Sequence, residues 1–166
     1  MDIKTLRSKK DQFFRSLDSP LRPDQRHSFT GLLYFSDNPS LRLHAKLDEH
    51  VAHDVVMMQT STGSKQQYVR AGKISFAVGG QNVKLCVYKD AHGYFLPFRD
   101  ATGEDETYGA GRYLEPEVGP NGLLEVDFNQ AYNPYCAYNE QYSCPIPPKE
   151  NLISVRIEAG EKRFHD

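Results

Sequence analysis

The chain lacks most of the features that would name a function outright. No apolar run approaches the ~18 residues that a membrane-crossing helix needs, so no membrane partner is expected. The opening Met1-Asp-Ile-Lys-Thr-Leu-Arg-Ser-Lys-Lys has no apolar stretch of the secretory kind, which leaves a cytoplasmic location as the default expectation. Basic excess is absent as well. The chain has 20 Lys and Arg against 22 Asp and Glu, a formal net charge of −2 that argues against general nucleic-acid binding. Cysteine is scarce, at three residues, and none forms the close pair typical of structural zinc sites, so no metal site is expected. In a reducing compartment these cysteines read as free thiols rather than a disulfide framework. Gly109-Ala-Gly111 lacks the third glycine of a dinucleotide-binding turn and sits in no βαβ pattern. No Gly-x-Ser-x-Gly elbow marks a hydrolase.

What is present points to a single domain over residues 1–166, large enough to bury a core without staples. Ile3, Leu6, Phe13, Phe14 and Leu17 recur near helical spacing, which predicts one amphipathic helix over 3–17 that stops before Pro20. From Ser28 the period changes to two, and a β body over 28–158 is expected. Leu41, Leu43, Ala45 and Leu47 alternate with polar residues, as do Ile74, Phe76 and Val78, then Val83, Leu85 and Val87, then Ile153, Val155 and Ile157. Gly79-Gly-Gln-Asn82, Asp90-Ala-His-Gly93 and Asn121-Gly122 are turn chemistry, and such short links favour antiparallel pairing. The expected fold is mainly β: an antiparallel barrel or two-layer sheet of about eight or nine strands, with one N-terminal α-helix.

The most unusual segment is Asp127–Asn151. Its 25 residues hold four tyrosines, four asparagines, four prolines and two cysteines. That mixture suits neither helix nor plain strand. Its aromatics argue against disorder, so a long ordered loop is expected. Just before it, residues 100–127 carry eight acidic groups and one cation, Arg112. These carboxylates read as a solvated rim, or as a lure for a metal or basic partner. Gly109 and Gly111 would face one side of a strand over 106–114 and let a ligand come close.

These pieces suggest a small-ligand pocket between strand 106–114 and loop 127–151. Arg112 would be its charged anchor, with Tyr108, Asn129, Tyr132, Asn133 and Tyr138 as orienting groups and walls. The competing reading gives the asparagines a structural job, holding irregular backbone. Asp127 or Glu106 are the candidate general bases if buried. Cys136 would be a nucleophile only if something lowered its pKa, and no cation or base lies beside it in sequence. His50 and His53 read as exposed turn residues. The residues name no cofactor and no oligomeric state. The second functional class is a protein-interaction module using the tyrosine-rich loop. A third, a flavin-binding split barrel, rests on fold-level analogy alone.

Three irregular runs carry a resemblance: Thr102-Gly-Glu-Asp-Glu-Thr-Tyr-Gly-Ala-Gly-Arg-Tyr-Leu114, Asp127-Phe-Asn-Gln-Ala-Tyr-Asn-Pro-Tyr-Cys-Ala-Tyr138 and Cys144-Pro-Ile-Pro-Pro-Lys-Glu-Asn151. With Lys10-Asp-Gln-Phe-Phe14 and Gly31-Leu-Leu-Tyr-Phe35, they resemble the bacterial and archaeal family known as domain of unknown function 1684. The resemblance covers most of the chain and implies one domain of largely β architecture, with no activity to carry over. It marks Glu106, Tyr108, Gly109, Gly111, Arg112, Asp127, Asn129, Tyr132, Asn133 and Cys136 as matching the family pattern. Tyr135 departs from it, standing where a second proline is expected before Cys136.

Overall fold

A long hairpin organises the molecule, and its turn explains its shape. In this computed structural model, which describes residues Met1–His165, strand β3 (Lys65–Val78) returns as β4 (Gln81–Asp90) through Gly79 and Gly80. Both glycines have positive φ, +57° and +78°. That is the two-residue turn whose twist matches antiparallel strands, and it is open to glycine at little steric cost. On its flanks lie β2 (Val55–Gln59), β5 (Gly93–Phe98) and β6 (Arg112–Leu114), which give a five-stranded antiparallel sheet in the order β2-β3-β4-β5-β6. A second antiparallel sheet pairs β1 (Arg42–Ala45), β8 (Leu124–Asp127) and β7 (Glu117–Val118), in the order β1-β8-β7. The alternating apolar residues of both sheets meet in one core that includes Ile74, Leu85, Val87, Leu96, Phe98, Val126, Phe128 and Ile157. The expectation of a mainly β, antiparallel, two-sheet fold with an N-terminal helix is met, with eight strands among the described residues.

Helix α1 (Ile3–Phe14) begins where Asp2 accepts a hydrogen bond from the Thr5 amide at 2.9 Å. It stops three residues short of the expected Leu17. Ser16 Oγ donates to the Phe13 carbonyl at 2.6 Å and Ser19 Oγ to the Phe14 carbonyl at 3.0 Å. These hydroxyls occupy carbonyls near the helix end and turn the chain out of the helix. Phe14 is fully buried against Leu21 and Tyr138, which docks the helix on the long loop. A short second helix, α2 (Pro23–Ser28), follows, with proline in its first turn.

Two predicted strands take another form. Of residues 106–114, only Arg112–Leu114 pairs. Upstream, the Thr102 carbonyl gathers the amides of Asp105, Glu106 and Thr107 at 2.8–3.1 Å, a local knot that outcompetes a ladder. Ile153, Val155 and Ile157 still face inward, yet they join no sheet. The Ile157 amide donates to the Asp100 carboxylate at 2.6 Å, and Arg112 takes the carbonyls of Ile157, Ala159 and Glu161. These side chains supplement a short backbone pairing, in which the Ile153 amide donates to the Arg99 carbonyl at 2.9 Å and the Ala101 amide to the Val155 carbonyl at 2.8 Å.

Candidate functional site

The long loop folds because its amides and hydroxyls bind the chain itself. Asp127 caps a tight turn at Phe128–Gln130, accepting from the Asn129 amide at 3.0 Å. Asn129 then imitates a backbone partner for Asn38: it accepts from the Asn38 amide at 2.8 Å and donates to its carbonyl at 2.9 Å. Asn133 donates its amide to the Glu161 carboxylate at 2.7 Å and its side chain to the Lys162 carbonyl at 3.0 Å. Tyr138 donates to the same carboxylate at 2.6 Å. Asn151 closes the loop by donating to the carbonyls of Cys86 and Pro97, each at 2.8 Å. At Tyr135 the chain makes the tight turn Tyr135–Ala137, entered through Pro134 without a second proline.

Arg112 lies at the bottom of this frame with no exposed surface. Its guanidinium pairs with Asp100 at 3.2 Å and donates to three backbone carbonyls, so its polar edge is largely consumed. The turn before it requires Gly111, whose φ is +112° and where a Cβ would stand 2.6 Å from the Phe98 carbonyl oxygen. Arg112, Asn129, Asn133 and Tyr138 are therefore all interior groups, exposed by 0, 1, 2 and 1 %. The sequence expectation that they face a ligand meets side chains already committed to the protein's own backbone and buried carboxylates. Asp127 and Glu106, the candidate bases, are carboxylates at the surface. Asp127 sits 3.5 Å from Arg42, and Glu106 pairs with Arg156 at 2.5 Å and Lys162 at 3.6 Å. His50 and His53 are exposed, as expected of turn residues.

Once these are set aside, the aromatic rings of the loop and of Tyr113 in β6 remain. Tyr113 and Tyr132 pack edge to face at 5.8 Å, and Tyr135 and Tyr142 do so at 5.3 Å. Together with Phe13 and Lys10 of the N-terminal helix they line an open groove of about 580 Å³, with Cys144 in its wall. The Tyr132 hydroxyl donates to Glu115, and its ring carries the Lys10 ammonium 4.9 Å from its centre. That ammonium is held by buried Glu161 at 2.5 Å. Tyr132 and Glu115 also wall a neighbouring cleft of about 500 Å³, where Arg42 and His44 face Glu117, Glu125 and Asp127. The sequence reading places Tyr132 at a ligand site and Tyr135–Tyr142 on a docking loop, and gives no functional role to Tyr113, Lys10 or Phe13. The signal available for Tyr113 and Phe13 was their aromatic character, and for Lys10 its charge.

Behind the groove, two thiols meet. The Cys136 amide donates to Cys144 Sγ at 3.4 Å, and the Tyr108 hydroxyl lies 3.7 Å from Cys136 Sγ. Ser61, from the turn after β2, clasps Cys144: its amide donates to the Cys144 carbonyl at 2.9 Å and its hydroxyl accepts from the Cys144 amide at 3.1 Å. The adjoining Cys144 and the Tyr108 hydroxyl 3.7 Å away shift the Cys136 thiol below its ordinary range, against the opposing effect of burial. The same pairing with Cys136, together with burial, pushes the Cys144 thiol up. Among the described residues, no three His, Cys, Asp or Glu side chains gather as a metal site.

Comparison with known proteins agrees with the architecture. Residues 27–162 match the family described as Protein of unknown function (DUF1684). The solution NMR structure of an uncharacterized protein from gene locus rrnAC0354 of Haloarcula marismortui is similar over 96 % of this chain and 91 % of that one, with 34 % identity and a TM-score of 0.71. No curated relative matches the chain.

Proposed function

The chain belongs to the DUF1684 family of proteins of unknown function, and from that starting point we propose that it binds a small ring-bearing molecule in the aromatic groove. One observation carries this reading. The loop's asparagines and buried polar groups are spent holding the frame, while Tyr132, Tyr135, Tyr142 and Phe13 are left partly exposed around one hollow. A groove of about 580 Å³ falls within the usual size of small-molecule sites, roughly 300–1,000 Å³. Ring faces favour a flat or sugar-like ligand through stacking, and Lys10 and Glu115 offer one group of each charge at the rim. In this reading Tyr132 touches the ligand, Tyr108 backs the thiols behind the groove, and Arg112, Asn129, Asn133 and Tyr138 hold the frame.

A second reading, docking of a protein partner, draws on the same exposure: Tyr135 and Tyr142 are each 38 % exposed and Ile146 is 40 % exposed. One variant addresses both. Tyr142→Ala removes an exposed ring and should leave the apo melting temperature nearly unchanged, within about 0.5 kcal/mol of stability. A thermal-shift screen of aromatic and carbohydrate compounds should yield hits on wild type that weaken at least ~10-fold in the variant, the loss of about one stacking contact. If no compound stabilises wild type, the ligand reading fails. If wild type and Tyr135→Ala/Tyr142→Ala capture the same partners in pull-downs, the docking reading fails.

A further inference from the structure

We propose that Cys136 and Cys144 form a redox-active dithiol that reduces a hydroperoxide, with Cys136 as the attacking sulfur and Cys144 as the resolving one. The site stands whether or not the groove takes a ligand. Four observations support it. The two residues are eight positions apart on the loop, yet the Cys136 amide reaches Cys144 Sγ at 3.4 Å. Both sides of the pair are held from outside the loop: Ser61 clasps the Cys144 backbone, and Tyr108 sets its hydroxyl 3.7 Å from Cys136 Sγ. Cys144 reaches the wall of the open groove and Cys136 stands directly behind it, the two residues being 8 and 7 % exposed. Cys86 supplies the internal contrast. It is 1 % exposed in a strand, with its backbone clamped by Asn151.

The ionisation of the three thiols follows the same division. Donors around Cys136 favour its thiolate, whereas burial raises the Cys86 thiol. A thiolate is the nucleophile in thiol chemistry, and activation normally comes from a cation or helix terminus. Here the Tyr108 hydroxyl, 3.7 Å from Cys136 Sγ, and the adjoining Cys144 take that part.

The chemistry balances as follows. The Cys136 thiolate attacks the terminal oxygen of a hydroperoxide, and the O–O bond breaks. Cys136 becomes a sulfenic acid, and the departing alkoxide takes up a proton equivalent to the one Cys136 lost on ionising. The Cys144 thiol then attacks the sulfenic sulfur. The S–O bond breaks, water leaves with the Cys144 proton, and a Cys136–Cys144 disulfide forms. Two thiols have lost two electrons, and the peroxide has become an alcohol and water. An external dithiol returns the pair by exchange.

The test uses the full reduced chain, with hydrogen peroxide and then an organic hydroperoxide as oxidant. Thiols counted in denaturant should fall from three to one, and non-reducing peptide mapping should join Cys136 to Cys144. Dithiothreitol should restore all three. Cys144→Ser should stop at a dimedone-trapped sulfenate on Cys136, and Cys136→Ser should consume peroxide at least ~10-fold more slowly than wild type. Both variants are checked for folding by circular dichroism. Alkylation of wild type alone provides a measurement without substitution: Cys136 should react across a range centred well below that of an ordinary thiol. The proposal is overturned if wild type keeps three thiols under peroxide that oxidises glutathione, or if Cys86 reacts as fast as Cys136.

Discussion

At the residue scale, Arg112 shows how chemistry and position part company. Its charge, alone in an acidic stretch, suggests a surface anchor, but it is a buried tie between two chain segments. The guanidinium links Asp100, after β5, to the carbonyls of Ile157, Ala159 and Glu161. Removing one partner of a buried pair leaves a charge without compensation, which costs about 3–5 kcal/mol. Arg112→Ala should therefore lower Tm by roughly 10 °C in a chain of this size. Arg112→Lys should recover less than half of that, because an ammonium cannot span the same acceptors. Thermal melts read the effect directly. A variant that melts like wild type would mean that this tie contributes little. Cys136 makes the converse point. The sequence shows no activating neighbour, and the groups placed beside it are Tyr108, 28 positions away, and Cys144, 8 positions away.

At the element scale, the segment from Ile153 to Ile157 has the alternation of a strand without the ladder of one. Its apolar residues were readable from the sequence, since burial follows the period of two. Its hydrogen-bond partners were not, since they are the Asp100 and Arg112 side chains and the backbone of Arg99 and Ala101, all more than 40 positions away. The prediction that belongs here concerns exchange. The Ile157 amide, bonded to buried Asp100, should exchange with solvent as slowly as amides of the β3–β4 hairpin. In Asp100→Asn it should exchange at least ~100-fold faster than in wild type, as local opening becomes about 3 kcal/mol easier. Hydrogen-exchange NMR or mass spectrometry checks both. Rapid exchange in wild type would mean that the segment is held by its apolar contacts alone. The N-terminal helix tells a similar story. Its apolar spacing was legible and its stop was not, because serine hydroxyls competed for the last carbonyls.

At the scale of the molecule, charge is nearly balanced, with a pI near 6.3. Solubility should pass through a minimum close to that pH and recover on either side. A turbidity series from pH 5 to 8, in steps of about half a unit, tests this; a flat profile would show that local patches outweigh net charge. The acidic run over 100–127 is partly matched across space by Arg42, Arg156 and Lys162. The two sheets close around the main core, and the helix packs on the long loop through a separate cluster of Phe14, Leu21 and Tyr138. The groove and the thiol pair occur where the helix, the loop and the turn after β2 come together.

The sequence by itself determined the periodic parts: one amphipathic helix, the glycine-turned hairpin, antiparallel pairing and an ordered aromatic loop. Each depends on neighbours within a few residues, where spacing translates directly into which face is apolar. Tertiary structure alone decided which polar side chains remain free. Asn129 meets Asn38 across 91 positions, Ser61 meets Cys144 across 83, and Arg112 meets Ala159 across 47. A buried polar group binds whatever partner folding brings within about 3 Å, and no local pattern along the chain encodes that encounter.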